Sequence, residues 1–158
     1  MKEILFVLCV VAVTAYLAVT AWEDFRTCEI TRWKHLLGLI PASILLCIRI
    51  NTFSGIEFII VLGFSTLYVL AGYLGVYGVA DGFVFAILTL FFSAVGGVAG
   101  VGIVIIIMII AGFSFIINHL VICIIKKKRV FQNLAAAFVP HIWVGYILTW
   151  TGLLMYAV

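Results

Sequence analysis

Apolar residues occupy this chain in long, nearly unbroken runs, and the polar residues gather in short gaps between them. The runs cover 4–22, 36–50, 56–75, 82–95, 101–125 and 138–156. About 20 apolar residues in an α-helix are enough to cross the hydrocarbon core of a bilayer, so each run predicts a transmembrane helix. The stretches 36–50 and 82–95 are short for a full crossing and are expected to borrow flanking residues or to shelter behind neighbours. Even the β-branched stretch 101–110 reads as helix, because backbone groups inside lipid must be paired within their own segment. The first run exceeds the apolar centre of a secretory signal, and Lys2 is offset by Glu3, so it reads as a span rather than a cleaved leader.

The gaps at 23–35, 51–55, 76–81, 96–100 and 126–137 are polar or glycine-rich, and none is long enough to fold alone. Residues 1–158 therefore read as one membrane-embedded domain, an all-α polytopic integral membrane protein of about six transmembrane helices. With six spans, the first, third and fifth connections share one side of the membrane. Arg26, Arg32, Lys34, Lys126, Lys127, Lys128 and Arg129 fall on that side, against Lys2 and Arg49 on the other. Cytoplasmic loops carry the excess of Lys and Arg, so the first side is predicted to be cytoplasmic and both termini to lie outside.

Composition strengthens this picture: 67% of residues are hydrophobic and 9% charged, with a mean hydropathy of +1.41. The net charge of +3 comes largely from the basic run 126–129, which follows an apolar stretch and reads as an orientation signal with lipid contact, not as a nucleic-acid site. Cys9, Cys28, Cys47 and Cys123 stand singly without metal-ligand or disulfide spacing. His35, His119 and His141 have no metal-like spacing either, so no metal and no cofactor are expected. His119 beside Asn118 reads as a helix polar pair, and His141 after Pro140 stands at the predicted cytoplasmic end of the last helix.

The chain contains two aspartates, Asp24 and Asp81, both at the edges of apolar runs on the predicted cytoplasmic side. A carboxylate near hydrocarbon costs on the order of 2.5–3.5 kcal/mol, which makes each a candidate for function. Carboxylates within a few ångströms of each other cannot both ionise comfortably and share a proton. That is the state in which one member activates a water while the other polarises a carbonyl and protonates the leaving amine. The plain alternative is that Asp24 flanks a helix beside Arg26, and that Asp81 with Gly78 and Gly82 marks a turn.

The wording around the aspartates favours chemistry. Asp24-Phe25-Arg26-Thr27-Cys28-Glu29-Ile30-Thr31-Arg32-Trp33 resembles the first catalytic motif of the prepilin and preflagellin peptidases, an aspartate soon followed by Arg and then by Ile-Pro-Asn. Gly78-Val79-Ala80-Asp81 resembles their second motif, Gly-x-Gly-Asp, and Phe138-Val139-Pro140-His141 is a weaker echo of a Pro-containing last helix. The resemblance implies that Asp24 and Asp81 are the catalytic pair, with Arg26, Ile30 and Gly78 supporting the site together with Ala80 at the second-glycine position; Glu29, flanking the first motif, joins the supporting set by its place. The chain departs from the pattern at Thr31-Arg32 in place of Pro-Asn, at Ala80 in place of the second glycine, and at Phe83 in place of a frequent Lys.

It further implies a peptidase-only form without the paired CxxC insertion and methyltransferase activity of longer members, acting in a prokaryotic cytoplasmic membrane on pilin-like or flagellin-like precursors. Glu23 and Glu29 beside the first motif read either as solvated loop acids or as a receiver for a basic leader. The glycines 96–102 suit a bend or a close helix approach. The alternatives of another class are a small proton-coupled carrier, expected to hold its acids near the midplane, and a non-enzymatic pilus-assembly protein of the same fold.

Overall fold

The computed structural model describes residues 2–126 and 137–156, which places Lys127, Lys128 and Arg129 of the basic run outside the described residues. The helices are α1 (Lys2–Thr27), α2 (His35–Arg49), α3 (Gly55–Tyr73), α4 (Val79–Gly96), α5 (Ala99–Lys126) and α6 (Val139–Tyr156). There is no strand among the described residues. Five segments have the length and hydropathy to cross a membrane: Glu3–Thr27, Arg32–Thr52, Gly55–Tyr73, Val79–Gly96 and Ala99–Ile125. This is the architecture of a polytopic membrane protein.

Neighbouring helices run antiparallel, and side-chain contacts show which ends meet. At one end the Asp24 carboxylate near the close of α1 touches the start of α6. At the other, Arg49 Nε at the end of α2 donates to the Ala94 carbonyl near the end of α4 at 3.3 Å. The α1–α2 and α3–α4 connections and the start of α6 thus lie at a common end of the bundle.

α4 is the centre. It packs against α2, α3 and α5, and two thirds of its span is buried, against a third or less in the other four. Its apolar residues accordingly run all round the helix, as in a span wrapped by protein. Phe85, Phe91 and Phe92 fill the interior, with Phe91 and Phe92 against Tyr146 of α6. On α3 and α5, large apolar side chains such as Ile59, Leu67, Ile106 and Phe113 point outward, as a lipid-facing surface requires.

Close packing around α4 depends on small residues. A Cβ on Gly82 would stand 2.7 Å from the Tyr68 carbonyl oxygen of α3. One on Gly100 would meet the α4 backbone at Phe92 and Ser93, so the glycine-rich segment serves a close α4–α5 approach at that position. Gly102, by contrast, faces open space.

Both motif helices are longer than hydropathy alone suggests. α1 continues five residues beyond Trp22 to Thr27, and α4 begins at Val79, so Asp24 and Asp81 are helical residues rather than loop residues. Polar residues continue a helix wherever its backbone bonds and one buried face are kept, which a hydropathy boundary does not register.

Candidate functional site

Asp81 is the third residue of α4. Its Oδ2 accepts the backbone N–H of Gly78, the N-cap, at 3.1 Å. This is the acidic half of a capping box, and it orients the carboxyl across the first turn of the helix. Gly78 tolerates the contact because a Cβ there would stand 2.7 Å from that same oxygen. Asp81 is 8% exposed.

Asp24 continues the four-residue spacing of Tyr16 and Thr20 on the buried face of α1 and is 7% exposed. Its Oδ2 accepts the backbone N–H of Val139 at 2.9 Å, and the N–H of Phe138 also bonds it. These groups form the start of α6, so Asp24 caps a helix 115 residues away in the chain. Its own carbonyl accepts the N–H of Cys28, which ends α1 in a left-handed conformation with φ of 52°.

The two carboxyls are near enough for their charges to act on each other. Buried at the same end of the bundle, from the first helix and the central one, they form an acidic pair screened from solvent. His141 of α6 is also within electrostatic reach of Asp24. Its Nδ1 is hydrogen-bonded to Ser114 Oγ at 2.8 Å, and its Nε2 faces Asn118 Nδ2 at 3.5 Å.

No family model, curated protein or solved structure matches the chain. Its chemistry is therefore read from the geometry.

The remaining expected residues are distributed around the pair. Arg26 is exposed, with its guanidinium 4.9 Å above the Trp22 ring. This is a cation–π arrangement at the membrane edge. Glu29 is exposed and, through its backbone, shares short contacts with Thr27 Oγ1. Ile30 packs on the core, and Ala80 is half-buried in the first turn of α4. Glu23 is engaged within the chain, pairing with Lys34 Nζ at 2.8 Å and accepting from Thr31 Oγ1 at 2.7 Å, which staples the α1–α2 connection.

Three further groups were not among the expected site residues. Tyr77 stands beside Asp81 and donates to the Tyr68 carbonyl at 2.8 Å. It lies between the spans, and burial, followed by the nearby Tyr68 and Asp81, pushes its hydroxyl from 10.0 up to about 12, so it stays a neutral donor. His35 is buried, hydrogen-bonded through Nδ1 to Tyr16 at 2.7 Å and stacked on Phe83 at 5.1 Å. The third is the backbone at 138–139. Only Tyr77 carried a sequence signal, its adjacency to Gly78, since the others depend on partners remote in the chain.

Proposed function

We propose that this chain is a membrane aspartyl endopeptidase that removes the basic leader of pilin-like or flagellin-like precursors at the cytoplasmic face of a prokaryotic membrane. The carrying observation is that its two aspartates, 24 and 81, are both buried at one end of the bundle, within electrostatic reach of each other. In this reading all six helices span, and the pair's end is cytoplasmic and the termini are outside.

The N–H groups that open α6 point at Asp24 and suit it to hold negative charge. Asp24 then takes a proton from water as the oxygen attacks the scissile carbonyl. Asp81 in its protonated form donates to the carbonyl oxygen and, as the tetrahedral species collapses, a proton returns to the leaving amine. The C–N bond breaks, giving a leader carboxylate and a new amino terminus. Neither a metal nor a covalent intermediate enters the step.

The geometry also offers Asp24 a purely structural task, the cap on α6, and the test must separate the two. Purified detergent-solubilised protein is incubated with a panel of precursors, each a short Lys/Arg leader followed by an apolar helix, and a shift in size is followed. The wild type should cleave at least one member, and Asp24→Asn and Asp81→Asn should each lower cleavage by at least a thousandfold while remaining folded. Cleavage surviving in either variant would sink the reading.

A further inference from the structure

The surface beside Asp24 carries polar groups where lipid is expected. α5 and α6 enclose an open groove of about 690 Å³, walled by Phe113, Ile117, Val121, Val144 and Leu148, with Ser114, Asn118 and His141 along it. Asn118 is exposed, and its contact with His141 Nε2 is long, at 3.5 Å, so its amide keeps hydrogen-bonding capacity turned outward. α6 links the groove to Asp24: Val139 donates to Asp24, and Pro140 and His141, the next two residues, line the groove. A second outward groove on α3, of about 460 Å³, has Thr66 as its polar lining residue, and that hydroxyl is spent on the Leu62 carbonyl of its own helix.

Resting on the peptidase reading, we propose that the α5–α6 groove receives the apolar helix of the precursor, with Ser114, Asn118 and His141 bonding its first turn. An apolar helix that begins just beyond a scissile bond presents up to four backbone N–H groups with no partner inside the helix. In lipid these groups need acceptors. The Asn118 carbonyl and the Ser114 hydroxyl supply them beside His141, itself within electrostatic reach of Asp24, while the apolar walls accept the turns that follow. The groove thus favours a helix with its N-terminal end at the aspartates, which sets the direction of entry as well as the place.

The experiment uses the full chain and a tagged precursor that the wild type has been shown to cleave. Photoreactive p-benzoylphenylalanine is placed at Ile117 or Leu148 in the groove, or at Ile59 on α3, in an Asp24→Asn background that retains substrate. Cross-links from Ile117 and Leu148 to the precursor helix, at least tenfold above those from Ile59, are expected. In the active protein, Ser114→Ala with Asn118→Leu should raise KM about fivefold with kcat changed less than twofold. Cross-links only to lipid or to a second copy of the chain, or an unchanged KM, overturn the groove while wild-type cleavage leaves the peptidase reading standing. Absence of cleavage of any precursor by the wild type overturns that reading and this one with it.

Discussion

Asp24 joins a structural contact to a proposed chemical one, and substitutions can part them. Asn keeps a carbonyl oxygen for the Val139 N–H, so Asp24→Asn should unfold within about 1 kcal/mol of the wild type, whereas Asp24→Leu leaves the start of α6 uncapped and should cost about 1–2 kcal/mol. Thermal unfolding in detergent measures both. Gly82 is set by packing alone: Gly82→Ala drives a methyl toward the Tyr68 carbonyl and should destabilise by about 1–3 kcal/mol, read in the same assay. For Tyr77 the sign follows from its raised pKa. The folded state holds the proton more tightly than the unfolded chain, so its stabilisation is complete below pH 10 and is lost as pH rises through about 12. Subtracting the pH–stability curve of Tyr77→Phe from that of the wild type should reveal that loss, and a flat difference between pH 10 and 12 would contradict it.

Between α1 and α2, one acid does the work of a clasp. Glu23 reaches both Thr31 and Lys34, holding the connection against the end of α1 and leaving Glu29 as the exposed acid beside the first motif. An ion pair near the surface is worth about 0–1 kcal/mol, so Glu23→Gln should cost less than about 1 kcal/mol in a denaturation measurement. Glu29→Gln should leave kcat within about twofold and act, if on anything, on KM for precursors with strongly basic leaders, which steady-state kinetics resolves. α4 behaves differently because α2, α3 and α5 pack around it and α6 meets its aromatic side chains. A polar substitution at Phe85, at its centre, should be far more damaging than one at Ile59 on the outward face of α3.

For the whole molecule, antiparallel packing puts the α1–α2 and α3–α4 connections at one end and the start of α1 with the end of α2 at the other. Cysteines introduced at Arg26 and Tyr73 should therefore react with an impermeant maleimide from the same side of sealed vesicles, and one at Asn51 from the opposite side. Equal labelling of Arg26 and Asn51 from one side would contradict an up-and-down bundle in the membrane. The bundle also explains how the acids are accommodated. Each is buried against protein, and each accepts a backbone N–H from a helix start, which is how a polar group is held near hydrocarbon.

The existence, type and rough extent of α1 to α6 were legible in the sequence, because lipid forces backbone pairing within each segment and a long apolar run calls for a helix. So was the candidacy of Asp24 and Asp81, since an acid at the edge of such a run is costly and must be compensated. The helix ends were less legible: α1 runs through Trp22, Glu23 and Asp24 to Thr27 because helical bonding tolerates polar side chains that a hydropathy boundary does not. Only the tertiary structure decided that α4 is the wrapped helix, that Asp24 caps α6, that Glu23 is spent on Lys34, and that His141 stands by Asp24 with Ser114 and Asn118. Each of those facts is a contact between segments far apart in the chain, fixed by how closely the helices pack, and local hydropathy carries no record of which faces will meet.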